Sequence, residues 1–192
     1  MKDAPLDMRM DNRNTLNASR VVNEYKLEEL IDIFFTYGEE KFSKSIAKNI
    51  VEYRKNKKIE TTLELVEIIR KSVPTKYFIN NHPERLIFQA IRIEVNGELK
   101  VLKSVLPDAI DMLKTGGRLC VITFHSLEDR IVKQTFKKYS EVNELVKGLP
   151  VIPDEYKPLI KVINNKPIVA GEKEINENSR SKCAKLRIIE RL

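Results

Sequence analysis

The stretch that decides the fold is Gly116-Gly117-Arg118-Leu119-Cys120-Val121-Ile122-Thr123-Phe124-His125-Ser126-Leu127-Glu128-Asp129-Arg130-Ile131-Val132-Lys133. Its apolar run from Leu119 to Phe124 is short and follows a glycine pair, which predicts a strand covered on both faces. Ser126 is the expected N-cap of a following helix, with Asp129 three residues later in a variant of the capping box. A strand that leads into a helix is half of a βαβ unit.

Ligands in sheets of this kind bind beyond the carboxyl ends of the strands. We therefore expect Thr123, His125 and Ser126 to lie at the edge of the sheet where ligands bind. Adjacent His and Ser side chains rarely form a nucleophile and base pair, so acyl transfer is not expected. A phosphate-binding glycine loop follows a strand, whereas Gly116-Gly117 precedes one, so a nucleotide site of that kind is not expected either.

Composition indicates a globular protein with a polyanionic partner. The 192 residues suffice for one large domain, or a domain with an insertion, and the net charge of +7 favours nucleic acid as the partner. Cys120 and Cys183 have no disulfide or metal-ligand spacing, which favours a reduced, cytoplasmic protein. The start of the chain has no apolar signal core, and no run approaches the length of a membrane span, so no membrane partner is expected.

The amino-terminal stretch from Asp3 to Asn14 has neither a helical period nor a consistent alternation, so we expect a loop. Its segment Leu6-Asp7-Met8-Arg9-Met10-Asp11 alternates apolar and charged residues, which leaves a short exposed strand open as an alternative. On that reading Asp7 and Arg9 simply pair with each other.

From Thr15 to Val73 the apolar residues recur every three or four positions, which predicts a compact helical subdomain. Thr61 and Glu64 form a capping box at the start of its last helix. The basic turn Arg54-Lys55-Asn56-Lys57-Lys58 is either a solvated helix end or a phosphate contact.

A further helix is predicted to begin at Pro83. Four of its polar side chains lie at spacings of four, three and four and therefore share one face: Arg85, Gln89, Arg92 and Asn96. Such a polar stripe can bind phosphates or base edges, or can be an ordinary solvated face. After Gly97 a helix resumes from Leu99 to Val105, and Pro107 is expected to restart a last turn. An irregular stretch with one short strand near 159–163 and a closing strand from Ala184 complete the chain.

Five blocks of sequence, in this order along the chain, resemble the MraW-type family, ribosomal RNA small subunit methyltransferase H. They are Asp3-Ala4-Pro5-Leu6-Asp7-Met8-Arg9-Met10-Asp11; Tyr37-Gly38-Glu39-Glu40; His82-Pro83 with Phe88-Gln89-Ala90-Ile91-Arg92-Ile93 and Val95-Asn96; Phe124-His125-Ser126-Leu127-Glu128-Asp129-Arg130; and Asn178-Ser179-Arg180-Ser181 with Lys185-Leu186-Arg187.

The resemblance implies an α/β fold, namely the C-terminal part of a class I (Rossmann-like) methyltransferase sheet with an inserted all-α helical subdomain. The implied divisions are an active-site loop at 1–14, a helical subdomain for substrate recognition at 15–80 and the methyltransferase domain at 81–192. The implied activity is S-adenosyl-L-methionine-dependent N4-methylation of a cytidine in 16S rRNA near the decoding centre, with the small ribosomal subunit as the partner and rRNA processing in the cytoplasm as the setting.

The resemblance also carries the site residues. The catalytic set is Asp7, Arg9, Asp11, His125 and Ser126, and the RNA-binding set is Arg13, Arg85, Gln89, Arg92, Asn96, Arg130, Arg180 and Lys182. Methyl transfer to an exocyclic amine needs no covalent nucleophile, only alignment and acceptors for the amino protons. Asp7 and Asp11 are the expected acceptors, and Arg9 is expected to orient them or to reach phosphate.

Family members carry the glycine-rich cofactor loop and the first strands before the Asp3 block, so no cofactor-binding residue is assigned here and the chain is expected to be a rear portion. The strand at 118–124 would then have an open edge, which predicts a homodimer or pairing with a missing amino-terminal segment. Two alternatives stay open: a non-catalytic basic RNA-binding module built on residues 15–73 and its basic turn, and a purely structural remnant without RNA affinity.

Overall fold

The computed structural model describes residues 2–142, 146, 148–153 and 156–192. The chain divides into two compact units, Met1–Glu98 and Leu99–Leu192. Part of the irregular stretch predicted after the helix of 131–139 lies outside the described residues. No helix of the described portion is both long and apolar enough to cross a membrane.

Helices build the first unit, as the apolar spacing predicts. They are α1 (Ala18–Glu24), α2 (Leu27–Thr36), α3 (Ser43–Arg54), α4 (Thr62–Lys71), α5 (Thr75–Asn81) and α6 (Pro83–Asn96). The predicted capping box is confirmed at α4, where the Glu64 amide donates to the Thr61 hydroxyl and the Thr61 amide donates to the Glu64 carboxylate. The short helix α5 was not predicted, because it buries no side chain and so has no apolar period to detect.

One hydrophobic core holds these helices together. Its fully buried side chains come from α1, α2, α3, α4 and α6 and include Val21, Leu30, Phe34, Ile46, Ile50, Leu65, Ile69, Ile87 and Ile91. The sequence grouped α6 with the methyltransferase domain at 81–192, yet Ile87, Ala90 and Ile91 of α6 belong to this core. The apolar face of α6 is therefore satisfied within the first unit.

The amino-terminal stretch is a loop, as expected, but it is firmly attached to the helices. Leu6 is buried in the core, its amide donates to the Glu60 carbonyl (3.1 Å), and its carbonyl accepts from the Ser19 amide (2.8 Å). The alternative of a short strand reduces to one isolated bridge between Pro5 and Thr61. These backbone bonds attach the loop to the helical subdomain at Leu6.

The second unit combines helices with a small sheet. Its elements are α7 (Glu98–Asp111, which starts at the last residue of the first unit), β1 (Arg118–Thr123), α8 (Ser126–Ser140), β2 (Ile160–Val162), β3 (Ile168–Val169), α9 (Glu172–Glu177), a 3-10 helix (Ser179–Cys183) and β4 (Lys185–Arg191). The expected restart at Pro107 is wrong, because α7 continues through it, and Leu106 and Ile110 stay buried on the two sides of the proline.

The sheet has the order β1–β4–β2, with β3 also paired to β4, and every pairing among the described strands is antiparallel. Because β1 and β2 are both antiparallel to β4, they run in the same direction, and α8 packs against both. The predicted βαβ unit is therefore present: β1 and β2 run in the same direction and α8 connects them, but β4 lies between the two strands. The mixed α/β class is confirmed, as are the strands near 119–124, 159–163 and 184–190.

The expectation that both faces of β1 are covered is wrong. Leu119 and Val121 pack against the core of Leu106, Ile110, Val132, Phe136, Ile160 and Ile189, but Cys120 and Ile122 on the opposite face are exposed. No strand among the described residues pairs with the edge of β1 that faces away from β4. The apolar run of β1 thus exceeds what this unit buries.

Candidate functional site

A cleft of about 520 Å³ in the first unit is the site that the fold organises most clearly. Its lining combines two cations, an aromatic ring, an amide, a thioether and a hydroxyl: Arg85, Arg92, Phe88, Gln89, Met8 and Thr62. The four α6 residues lie at positions i, i+3, i+4 and i+7, which places them on one helix face. The volume lies within the range typical of small-ligand sites.

Asn96 fastens the amino-terminal loop beside this cleft. Its side-chain oxygen accepts from the Met10 amide (2.8 Å), and its side-chain nitrogen donates to the Met8 carbonyl (2.9 Å). Met8 has a φ of 62°, a left-handed conformation that a non-glycine residue adopts only when its surroundings impose it. Asn96, predicted as an RNA contact, is therefore positioned as the residue that shapes one wall.

Asp7 and Arg9 form a bidentate ion pair, with distances of 2.7 Å (Nε to Oδ1) and 2.8 Å (Nη2 to Oδ2). Arg9 also donates to the carbonyls of Asn12 and Asn14 (3.1 and 2.9 Å). Hydrogen bonds from the Arg9 side chain and backbone lower the pKa of Asp7 to about 2. The pair that the sequence left as the plain alternative is thus present, and it closes the loop on itself.

Asp11 and Arg13 form a second pair (2.8 Å) that is more open to solvent, since the Arg13 side chain is 91% exposed. Hydrogen bonds from the Arg13 side chain and backbone lower the pKa of Asp11, so its carboxylate is ionised at neutral pH. A surface pair of this kind contributes little stability and exchanges readily. The two carboxylates are about equally exposed, at 46% for Asp7 and 42% for Asp11, so the two pairs differ in their arginine partners.

The two arginines of the α6 stripe differ in their surroundings. Arg92 forms a bidentate pair with Glu98 (2.9 and 3.1 Å), which neutralises most of its charge. The side chain of Arg85 is exposed and makes no ion pair or hydrogen bond with any described residue. Gln89 donates from its side-chain nitrogen to the Tyr37 carbonyl (3.1 Å). Arg85 is thus the cation of the stripe best placed to meet a phosphate.

The remaining predicted site residues belong to the second unit. His125, rather than Ser126, is the N-cap of α8, because its Nδ1 accepts from the Glu128 amide (3.4 Å) and Glu128 accepts from the amides of Phe124 and His125 (2.8 and 3.3 Å). The expected box of Ser126 and Asp129 is wrong: Asp129 instead pairs with Arg187 (2.7 Å). Three basic residues, Arg130, Arg180 and Lys182, are exposed on this unit.

The basic turn after α3 is largely engaged in structural contacts. Arg54 donates to the carbonyls of Val22 and Tyr25, Lys55 pairs with Glu52, and Lys57 pairs with Glu64. These contacts agree with the reading of the turn as a helix end. They weaken the reading of the turn as a phosphate site, because each pairing satisfies the charge or the donors that a phosphate would use.

Three residues of the cleft were missed by the sequence analysis: Met8, Thr62 and Phe88. Phe88 had a usable signal, because it lies three residues after Arg85 and so belongs to the same stripe. Met8 and Thr62 had none, since only the folded chain brings the loop and the start of α4 beside α6.

The end of β1 does not fit S-adenosylmethionine in the described structure. The amides of Phe124 and His125, which a ligand at a strand end would use, both donate to Glu128. The same carboxylate would repel the carboxylate of the methionine part of that cofactor. The described residues at the end of β1 therefore do not form a binding site for this cofactor.

The comparison with known families now adds to this geometry. The family model described as the MraW methylase family matches residues 1–192. A match over the whole chain defines a methyltransferase that uses S-adenosylmethionine. The chain belongs to the MraW methylase family.

Proposed function

We propose that this protein acts in the N4-methylation of a cytidine in 16S rRNA near the decoding centre, and that the cleft beside α6 contacts the RNA. The single observation that carries the proposal is the family match over residues 1–192. The cleft supports it, because its lining suits nucleic acid. Guanidinium groups contact phosphates, and an aromatic ring offers a stacking surface for a base.

Charge supports the assignment of the cleft. The chain carries a net charge of +7, so long-range attraction to an RNA backbone is favourable. Arg85 contributes an exposed charge at the cleft, and Arg92 is held in a fixed orientation by Glu98. We propose that Arg85 contacts phosphate and that Arg13, Arg130, Arg180 and Lys182 provide further basic surface on their own units.

The amino-terminal loop provides the acceptors that amine methylation requires. The nitrogen of a cytosine amino group is poorly nucleophilic, because its lone pair is delocalised into the ring. A carboxylate that accepts an amino proton helps to free that lone pair. Asp11 is the better candidate for this contact, because the side chain of its partner Arg13 is exposed and bonds to no other described residue, whereas Arg9 is also held by the carbonyls of Asn12 and Asn14. His125 and Ser126 remain proposed participants, in addition to the capping contact that His125 makes.

Disruption of the gene in its host tests the proposal. We expect nucleoside mass spectrometry of purified 16S rRNA to show loss of N4-methylation at one cytidine. The wild-type gene should restore the modification, whereas Arg85→Glu should restore less than about a tenth of it. Lys48→Glu, which changes an exposed cation of α3 by the same amount, should restore it fully.

Two results would contradict the proposal. One is full N4-methylation of 16S rRNA in the disrupted strain. The other is a loss of RNA affinity on charge reversal at Lys55, Lys57 and Lys58 with no effect at Arg85, which would instead support a non-catalytic basic RNA-binding module.

A further inference from the structure

We propose that the cleft beside α6 holds one unstacked cytosine base, with its ring on Phe88 and its exocyclic amino group donating to the side-chain oxygen of Gln89. This inference rests on the proposed function, because it names the part of the RNA that the same cleft recognises. It adds two specificity-determining residues.

Phe88 has the surroundings of a stacking platform. The ring is partly buried and packs against the core of the first unit, and it also lines the cleft. A ring that is supported by a core loses little conformational freedom when a base stacks on it. Among the described residues that line this cleft, Phe88 alone is aromatic. A base that enters the cleft therefore has one flat apolar surface to contact.

Gln89 has its amide orientation fixed by the fold. Only the nitrogen of the amide can donate to the Tyr37 carbonyl, so the bond of 3.1 Å decides which atom is the oxygen. That oxygen accepts no hydrogen bond from any described residue, and Gln89 lines the cleft. The side-chain oxygen of Gln89 can therefore accept a hydrogen bond from a ligand in the cleft.

The acceptor discriminates between the two pyrimidines of RNA. Cytosine carries an amino donor at C4, whereas uracil carries a carbonyl oxygen there, which would face the Gln89 oxygen without a proton between them. A site built around one hydrogen bond rejects a ligand that lacks the matching group, because the polar atom of the site is left unpaired.

The neighbouring groups suit a nucleotide rather than a free base. Arg85 lies one helical turn before Phe88 and Gln89 and has no described partner, so it can meet the phosphate of the bound nucleotide. The wall at Met8 is fixed by the two bonds to Asn96, so the cleft does not have to form on binding. Its volume of about 520 Å³ leaves room for the sugar as well as the base.

The stacking contact is tested with labelled single-stranded hexanucleotides made of uridine with one central cytidine. We expect replacement of the central nucleotide by an abasic one to weaken binding to the wild-type protein about tenfold. In Phe88→Leu, which keeps apolar volume but removes the aromatic face, the same replacement should change affinity less than about twofold. Phe35→Leu, an exposed ring on α2, should behave as wild type.

The hydrogen bond is tested with the same RNA and its all-uridine counterpart. We expect the wild-type protein to prefer the cytidine-containing strand about tenfold and Gln89→Met to bind the two strands with affinities within about twofold of each other. Gln134→Met is the matched control, because Gln134 is an exposed residue of α8. An undiminished preference in Gln89→Met, or an undiminished abasic effect in Phe88→Leu, would overturn the inference.

These measurements separate the inference from the proposed function. If the cytosine preference and the abasic effect fail while the disrupted strain still loses N4-methylcytidine, the function stands and the base lies elsewhere. If both binding effects hold while 16S rRNA keeps its N4-methylcytidine, the cleft binds cytosine but the proposed reaction is wrong.

Discussion

The two units of this protein bury their apolar side chains to very different extents. In the first unit, α2, α3, α4 and α6 each supply fully buried Leu, Ile or Phe side chains to one core. In the second unit the core consists of a few residues between α7, α8 and the sheet, while Ile122, Phe124, Ile168 and Val169 are more than half exposed. The cleft with the ordered loop lies in the unit with the larger core, which agrees with the need of a binding site for a rigid support.

The first unit is expected to be the more stable one, and the second unit is expected to be the one that associates with other chains. A helix needs to bury only one stripe, and α1 to α6 can do so against one another. A strand has two faces and two edges, and β1 has one face and one edge covered by described residues. The second unit therefore presents the larger unsatisfied surface.

The largest expected effect tests the core of the first unit. Phe34→Ala should lower the free energy of unfolding by about 4 kcal/mol, because Phe34 is fully buried and its removal leaves a cavity. The next residue along α2 is the control: Phe35→Ala should change it by less than about 0.5 kcal/mol, since its ring is 65% exposed. Urea denaturation measures both, and equal losses would show that the first unit is not a close-packed core.

A smaller effect is expected in the second unit, from the buried pair between Asp129 and Arg187. Asp129→Ala should lower the free energy of unfolding by about 3 kcal/mol, because it leaves the guanidinium of Arg187 buried without this carboxylate. The exposed pair of Arg118 with Glu190 lies in the same sheet, and Arg118→Gln should cost less than about 1 kcal/mol. If the two variants unfold at the same urea concentration, burial does not distinguish these pairs.

The same pair predicts a dependence on pH. A hydrogen bond from Arg187 lowers the pKa of Asp129 in the folded protein, so the ionised form is favoured by folding. The stability that it contributes is complete above the pKa of an unfolded aspartate, about 3.9, and is lost as the pH falls through the lower folded value. Urea titrations of the wild type between about pH 6 and 3 should show a fall in stability that is smaller in Asp129→Ala, where other carboxylates with lowered pKa values, such as Asp7 and Asp11, still contribute.

The smallest expected effect concerns association through β1. We propose that the uncovered edge and the exposed Ile122 lead the chain to pair with a second copy or with another strand. Ile122→Lys should weaken self-association at least tenfold in light scattering after size-exclusion chromatography. Ile79→Lys, an equally exposed position on α5 of the first unit, should not change it. A stable wild-type monomer would contradict this proposal.

Much of the fold was predictable because its signals are local. The capping box of Thr61 and Glu64, the start of α6 at Pro83 and the end of that helix at Gly97 are all set by side chains within one helical turn. The cap of α8 was assigned one residue late, because Ser is the more common cap and the His125 ring that takes its place gives a weaker signal. The second face of β1 was assigned as covered, because an apolar run cannot report whether its neighbours are present.

The sequence by itself determined the longer helices, the main strands, the family and the stripe on α6, because periodicity, capping and motif order are properties of the chain alone; the short helices α5 and α9 left no such signal. Only the tertiary structure decided which polar groups are held by partners within the protein and which charged side chains are left exposed. Arg92 is held by Glu98, Arg54 by two carbonyls, and the Met8 carbonyl by Asn96 from 88 positions away. Partners as distant in sequence as Met8 and Asn96 meet only after the core has packed, so Met8 and Thr62 became recognisable as parts of the same site as Arg85 only in the folded protein.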